Sequence, residues 1–183
     1  YTFNLRDLSK VLAGVLMADK DRIGEDRHRF IRLVVHEARR VLHDRLVDDE
    51  DRTWFDTRLA TALSTHTGVS WDTFMTVDPA PPSANTYEAD LDPGTVRGRT
   101  PDDLLLFGDY VGSRAEDRYE EVTDLDGLVP LFEEFLTDYN LESRVPMRLV
   151  MFIAAISHVS RLVRVLRQHG NALLLGVGGS GRQ

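Results

Sequence analysis

The sequence contains no cysteine and almost no lysine, with only Lys10 and Lys20 among its 22 basic residues. Without thiols, a disulfide framework and a thiolate metal site are both excluded. No apolar run reaches the roughly 20 residues that a membrane-spanning helix needs. The remaining composition, 42% apolar and 28% charged over 183 residues, is typical of a globular protein with one good core or two small units.

Acidic side chains are missing from one end of the chain. The net charge is −8, yet no Asp or Glu follows Glu142. Arginines continue beyond that point, and Arg161, Arg164 and Arg167 fall near the C-terminal end of a predicted helix, where the helix dipole favours cations. This distribution predicts contact with anions or acidic partners at the C-terminal end, although the arginine stripe can equally be structural.

The last residues are rich in glycine and follow an apolar run that is typical of a buried strand. Glycine lets several backbone N–H groups converge on an anion, and the pattern G-x-x-x-x-G-K-[ST] marks such a phosphate loop. Arg182 stands at the lysine position and Gln183 at the position of the Mg²⁺-binding hydroxyl. The helix that should follow is not in the sequence, so we expect a piece of a larger protein. The predicted loop comprises Gly176, Val177, Gly178, Gly179, Ser180, Gly181, Arg182 and Gln183.

The first third of the chain predicts a small helical unit. Asn4 is a good cap for the first helix, which places Arg6 in a first turn where the dipole disfavours a cation. Such a conflict is typical of a site that meets an anion, or else Arg6 is an exposed residue of no consequence. The residues predicted to face inward on this helix are Leu5, Leu8, Leu12, Val15 and Leu16.

Two more helices are predicted, over about 26–47 and 52–65, the latter after the acidic turn 48–51. The helix over 26–47 contains His36-Glu37-Ala38-Arg39-Arg40. This stretch begins like a zinc-protease helix but has Arg40 where the second histidine belongs. We therefore interpret it as the polar side of a packed helix, and expect no metal site. The predicted inner residues are Phe30 or Ile31, Val34, Ala38, Val41 or Leu42 and Leu46, then Trp54, Phe55, Leu59, Ala62 and Leu63.

The second half of the chain begins after an irregular, proline-rich connection over residues 77–101. A short strand over 104–110 and a partner over 119–122 predict a small hairpin. A helix follows in which Pro130 is tolerable only in the first turn. The longest helix is predicted from Met147 to about Gln168, with its inner residues at Leu149, Phe152 or Ile153, Ile156, Val159 or Ser160, Val163 and Leu166.

Six collinear segments cover almost the whole sequence except the proline-rich connection. They are Tyr1-Thr-Phe-Asn-Leu-Arg-Asp-Leu-Ser-Lys-Val11, His36-Glu-Ala-Arg-Arg-Val41, Asp44-Arg-Leu-Val-Asp-Asp-Glu-Asp-Arg52, Phe107-Gly-Asp-Tyr110, Tyr139-Asn140 and Gly176-Val-Gly-Gly-Ser-Gly-Arg-Gln183. In their order and spacing these segments resemble the dynein heavy chain. The motifs resemble axonemal heavy chains more than cytoplasmic ones.

The resemblance implies a mainly α fold: a helical AAA+ lid, then a small β element and long helices leading into a P-loop strand. Residues 1–100 would be the lid of the third AAA+ module, and 101–183 the start of the fourth, ending in its Walker A loop. Arg6 matches the sensor-II arginine, which reaches the phosphates held by the preceding large domain. The parent would be an ATP-driven, minus-end-directed microtubule motor of the ciliary or flagellar axoneme.

The resemblance also implies ATP or ADP with Mg²⁺ in the parent, with neighbouring AAA+ modules, microtubules and dynein intermediate and light chains as partners, and with no nucleic acid or membrane partner. Arg182 and Gln183 depart from the Walker pattern, so we expect a regulatory or structural nucleotide site. The fragment alone would be inactive. The alternative is a stand-alone helical interaction domain with a glycine-rich tail and no nucleotide role.

Overall fold

The computed structural model describes residues 1–71, 105–111 and 118–174. These ranges are mainly helical, as predicted, with a small two-stranded sheet. The predicted connection 77–101 and the glycine loop 176–183 lie outside the described residues. In chain order the elements are α1 (Leu5–Val15), α2 (Lys20–Ile23), α3 (Arg27–Val41), a 3₁₀ turn (His43–Arg45), α4 (Asp49–Thr67), β1 (Phe107–Gly108), β2 (Glu120–Glu121), α5 (Leu128–Glu142) and α6 (Ile153–His169).

Side-chain caps fix where the N-terminal helices begin. Asn4 caps α1 in a capping box with Asp7, as the sequence predicts for Asn4. Asp26 accepts hydrogen bonds from the backbone N–H groups of His28 and Arg29, so α3 starts at Arg27. Asp48 accepts from the N–H of Asp51, and α4 therefore begins three residues earlier than predicted.

The predicted inner face of α1 is wrong at its four leucines, and only Val15 of the predicted residues packs against a core. Leu5 and Leu16 are 81% and 82% exposed, and Leu8 and Leu12 are also exposed. The buried side of this helix carries Asp7, Val11 and Gly14 instead. Periodicity identifies the broadest apolar stripe on a helix, which on α1 is the row of leucines. Helix α3 packs instead against the side of α1 that permits the closest approach.

Helix α3 is buried on nearly all sides from Ile31 onwards, and it ends earlier than predicted. Its apolar core residues are Ile31, Leu33, Val35 and Val41, whereas Phe30 is exposed. On α4 the predicted inner residues Trp54 and Ala62 are exposed as well, and Leu63 is buried. Trp54 instead packs under the guanidinium of Arg58, with 5.5 Å between the guanidinium carbon and the ring centroid.

The predicted hairpin pairing is confirmed. Phe107 faces Glu121 and Gly108 faces Glu120 in an antiparallel ladder, which the N–H of Val122 extends with a 2.9 Å bond to the carbonyl of Leu106. Pro130 lies in the first turn of α5, as required.

The last helix starts later than predicted, at Ile153 rather than Met147, and it is shorter than α4. The Asn140 amide bonds both the N–H and the carbonyl of Met147, at 2.7 and 2.8 Å, which gives the Met147 backbone partners outside a helix. Leu149 and Leu166 are exposed, whereas Ser157, Ser160 and Arg164 lie with Ile156 on the buried side of α6.

Two apolar cores flank β1. The first lies between α3, α4 and the hairpin, and the second between the hairpin, α5 and α6. Leu105 and Phe107 belong to the first core, whereas Leu106 belongs to the second. Because side chains alternate along an extended strand, residues 105–107 separate the two cores and contribute side chains to both. We call this segment the wall between the cores.

Candidate functional site

The arginine stripe predicted on α6 is the clearest cluster of charge in the described residues. Each of its arginines pairs with a carboxylate of another element. Arg161 lies 3.7 Å from Asp44, Arg164 pairs with Glu37, and Arg167 pairs with Asp109 at the end of β1. The anionic partners predicted for this end of the chain are therefore found within the chain itself.

Glu37 is the centre of this cluster and is fully buried. One carboxylate oxygen accepts a hydrogen bond from the hydroxyl of Tyr119 at 2.6 Å. The Arg164 Nε donates to both oxygens, at 3.0 and 3.2 Å, and a terminal nitrogen of the same guanidinium donates to one of them. A buried carboxylate is tolerated when it is paired and hydrogen-bonded, and Glu37 has both kinds of partner.

Gly14 of α1 makes room for this ion pair. A Cβ atom built on Gly14 would overlap the Glu37 carboxylate and come within 3.0 Å of Arg164. The backbone of Gly14 has an ordinary helical conformation, so glycine is needed for space and not for backbone freedom. Helix α1, which exposes its leucines, thus contributes its small side to the buried charges.

The protonation of the cluster follows from burial and from Glu37. Burial raises the pKa of Tyr119 well above its usual value of 10, and the charge and hydrogen bond of Glu37 raise it further. Burial by itself would lower the pKa of Arg164, but the hydrogen bonds and charge of Glu37 raise it overall. Tyr119 is therefore a neutral donor and Arg164 a permanent cation over the physiological pH range.

A second group of charges surrounds the C-terminal end of α3. Arg40 lies 3.3 Å from Asp44, and Arg39 pairs with Asp56 of α4. His43 lies 3.8 Å from each of these two aspartates. Arg39, Arg40 and His43 are all buried. The stretch is thus the polar side of a packed helix, as interpreted, and its charges face partners inside the protein.

Arg6, the predicted sensor arginine, lies in the first turn of α1 and is exposed. Within residues 1–71, 105–111 and 118–174, no ion pair of Arg6 is present. The neighbouring Asp7 is buried and accepts hydrogen bonds from the N–H of Asn4 at 3.0 Å and from Arg45 at 2.8 Å. The first turn is thus anchored on one side, with Arg6 on its accessible side.

The predicted loop residues 176–183 lie outside the described residues. Helix α6 ends at His169, Gly170 follows with a positive φ of 74°, and residues 171–174 lead towards the loop. No cluster of histidine and carboxylate side chains suited to a metal ion occurs in the described part of the chain. No helix in that part is long and apolar enough to cross a membrane.

Sequence reasoning missed Glu37, Tyr119 and Gly14 as members of one cluster. The useful signal was the stripe of α6 arginines in a region without acids, because buried arginines need carboxylates from elsewhere. It indicates that partners exist, but not which of the 30 acidic residues they are. Arg164 and Tyr119 lie 127 and 82 residues from Glu37 along the chain, and local spacing cannot reveal partners so far apart.

Two known protein families match the two ends of this chain. Residues 1–52 match the family "Dynein heavy chain, ATPase lid domain", and residues 147–183 match "P-loop containing dynein motor region D4". This chain is 41% identical over 185 residues to "Dynein axonemal heavy chain 1" of Homo sapiens. The matched region covers 100% of this chain and 4% of that protein. The chain belongs to the dynein heavy chain family.

Other dynein relatives agree. "Dynein axonemal heavy chain 12" of Mus musculus is 41% identical over 187 residues, covering 100% of this chain and 6% of that protein. "Dynein axonemal heavy chain 3" of Mus musculus is 40% identical over 188 residues, with coverages of 100% and 4%. The chain thus spans only a small part of the length of its dynein relatives. Glu37 lies within the lid match and Arg164 within the D4 match, so the central ion pair joins the two dynein regions.

Proposed function

We propose that this chain forms the part of a dynein motor ring in which the helical lid of the third AAA+ module, residues 1–100, continues into the fourth module, residues 101–183. The observation that carries the proposal is the buried Glu37–Arg164 ion pair between the lid and D4 regions. A lid helix bonded in this way cannot turn without carrying α6 with it. Helix α6 leads through Gly170 towards the glycine loop, so a lid movement would reach that loop.

Arg6 acts in this proposal as the sensor-II arginine, which contacts the phosphates of a nucleotide held by the preceding large domain. Its exposure in the first turn of α1 supports the assignment, because the guanidinium is free to meet a ligand. Arg6 would supply a charge-assisted hydrogen bond to a phosphate oxygen.

The fourth-module loop would hold a nucleotide without hydrolysing it efficiently. The residue types of Gly176, Gly178, Gly179, Gly181 and Arg182 suit a polyphosphate, since they offer backbone N–H groups and a cation. Gln183 does not suit the Mg²⁺ position, because its amide cannot replace the hydroxyl of serine or threonine. ATP or ADP with Mg²⁺ would supply the phosphoanhydride chemistry that drives the motor.

The parent protein would then be an ATP-driven, minus-end-directed microtubule motor of cilia or flagella. The axonemal names of its relatives support that location. Its partners would be the neighbouring AAA+ modules of the same chain, microtubules, and dynein intermediate and light chains. The residues described here would serve as an internal coupling element and not as an independent enzyme.

The test compares the complete motor with its Gln183→Thr variant by nucleotide occupancy of the fourth-module loop, with and without Mg²⁺. Restoring the hydroxyl should strengthen Mg²⁺-dependent binding at that loop while raising overall ATP turnover little. Gly181→Val should abolish binding there, since a β-branched side chain blocks close backbone approach. A loop that stays empty at saturating nucleotide in the parent would contradict the holding role.

A further inference from the structure

The first turn of α1 is held on the side opposite to solvent by a single buried carboxylate. Asp7 is only 6% exposed, although the residues before it are exposed. One of its oxygens accepts the N–H of Asn4 at 3.0 Å, and the other accepts a guanidinium N–H of Arg45 at 2.8 Å. Asp7 therefore connects the helix cap to the 3₁₀ turn that follows α3.

Arg45 reaches this carboxylate from 38 residues further along the chain and fixes the preceding segment as well. Its guanidinium carbon lies 5.0 Å from the centroid of the Phe3 ring. The ring of Phe3 stacks in turn on Tyr1, whose hydroxyl accepts the N–H of Val47 at 2.8 Å. Arg45 and Val47 thus hold residues 1–7 in place.

These contacts determine where Arg6 lies. Consecutive residues of an α-helix are about 100° apart around the axis, so fixing Asp7 against Arg45 fixes the direction in which Arg6 leaves the helix. The helix cap is already closed, because Asn4 accepts the N–H of Arg6 at 2.8 Å through its side chain and the N–H groups of Asp7 and Leu8 through its carbonyl. An anion approaching this turn would be met chiefly by the Arg6 side chain.

We propose that Arg45, acting through Asp7, is a positioning residue for Arg6: it sets the rotation of the first turn of α1 and so the place that the Arg6 guanidinium occupies against a phosphate. This inference rests on the proposed role of Arg6. In this proposal Arg45 acts through Asp7, which accepts its guanidinium N–H, and not as a nucleotide ligand.

A double-mutant cycle in the complete motor tests the proposal. The other nucleotide loops of the ring carry blocking substitutions, and the probe is a fluorescent ADP analogue (mant-ADP) titrated with Mg²⁺ present. Arg6→Ala should weaken binding about tenfold, as expected for one lost charge-assisted contact. Arg45→Gln should weaken it about threefold, because a misplaced guanidinium retains part of its contact.

The combination decides between positioning and a separate structural effect. If Arg45 acts only through Arg6, the double variant Arg6→Ala/Arg45→Gln binds mant-ADP as weakly as Arg6→Ala alone. Arg45→Lys, which keeps a cation for Asp7, should recover part of the affinity. Asp7→Asn, which keeps the shape of the side chain, should repeat the effect of Arg45→Gln. Arg29→Gln, at an exposed arginine 3.8 Å from Asp26, is the matched control and should bind as the parent does.

The two proposals fail in distinguishable ways. Unchanged mant-ADP affinity in Arg6→Ala contradicts the sensor role of Arg6, and this inference with it. A tenfold loss in Arg6→Ala combined with parental affinity in Arg45→Gln contradicts the positioning role alone. The same conclusion follows if the two losses multiply in the double variant, since Arg45 then acts independently of Arg6.

Discussion

Helices α1 and α3 pack against each other, yet they expose and bury opposite kinds of side chain. Helix α1 turns a row of leucines to solvent, whereas α3 buries glutamate, histidine and arginines. The exposed leucines of α1 and the buried charges of α3 have one cause, because the Glu37–Arg164 pair fits only beneath the small side of α1 at Gly14. The pair of helices shows that a paired charge can take the interior position, leaving an apolar stripe outside.

Breaking the charge pair should have the largest effect on this arrangement. Arg164→Met should lower the free energy of unfolding by about 3–5 kcal/mol, because it leaves Glu37 buried without its cation. The triple variant Glu37→Met, Arg164→Met and Tyr119→Phe, which removes the three groups that hydrogen-bond to one another, should recover most of that loss. Urea unfolding followed by circular dichroism measures both, and Arg29→Met is the surface control, expected to change stability by less than about 1 kcal/mol. A loss below 1 kcal/mol in Arg164→Met would show that the buried pair is not a strong constraint.

Filling the space at Gly14 should have the next largest effect, and its sign is informative. Glycine to alanine inside a helix normally gains up to about 1 kcal/mol. Gly14→Ala should instead lose about 1–3 kcal/mol, since the new methyl group collides with the Glu37 carboxylate. The reverse exchange Ala62→Gly, at an exposed site in α4, calibrates the ordinary propensity. A more stable Gly14→Ala variant in the same urea experiment would argue against close packing of α1 on the ion pair.

High pH should weaken the buried cluster through Tyr119. Its pKa is raised above 10 in the folded protein, so the folded state keeps a proton that the unfolded state releases. The contribution of Tyr119 is therefore complete below about pH 10 and falls as the pH rises further, by up to about 1.4 kcal/mol per pH unit. Unfolding measured from about pH 8 to 11 should show a smaller decline in Tyr119→Phe. Tyr110, whose pKa burial also raises, remains in both proteins. Equal declines would mean that Tyr119 does not carry the effect.

The exposed leucines should matter least to the stability of this chain. Leu5→Gln and Leu12→Gln should each change the free energy of unfolding by no more than about 0.5 kcal/mol, because these side chains are already in water. Leu33→Ala, at a fully buried position on α3, is the contrasting variant and should lose about 2–5 kcal/mol. A loss above 1 kcal/mol in Leu5→Gln would indicate that the α1 leucines are covered in solution.

Local chemistry was predictable, and long-range compensation was not. Asn4 as a cap, Pro130 in a first turn and the pairing of Phe107 with a later strand follow from rules that act over a few residues. The face of α1 was mispredicted because its leucine stripe is the more apolar one, whereas burial is decided by Glu37 and Arg164 from other parts of the chain. Helix α6 was predicted to begin too early, because the bonds of Asn140 to Met147 come from a preceding helix. Arg6 and the loop at 176–183 were recognisable by motif, and their roles stay predictions.

The wall formed by Leu105, Leu106 and Phe107 also constrains how the chain folds. A slip of one residue in the register of β1 would send Phe107 into the second core and Leu106 into the first, exchanging side chains of different volume. Neither core can therefore reach its final packing until the pairing with Glu120 and Glu121 is correct. We expect the helices on the two sides of this strand to unfold in a single cooperative transition.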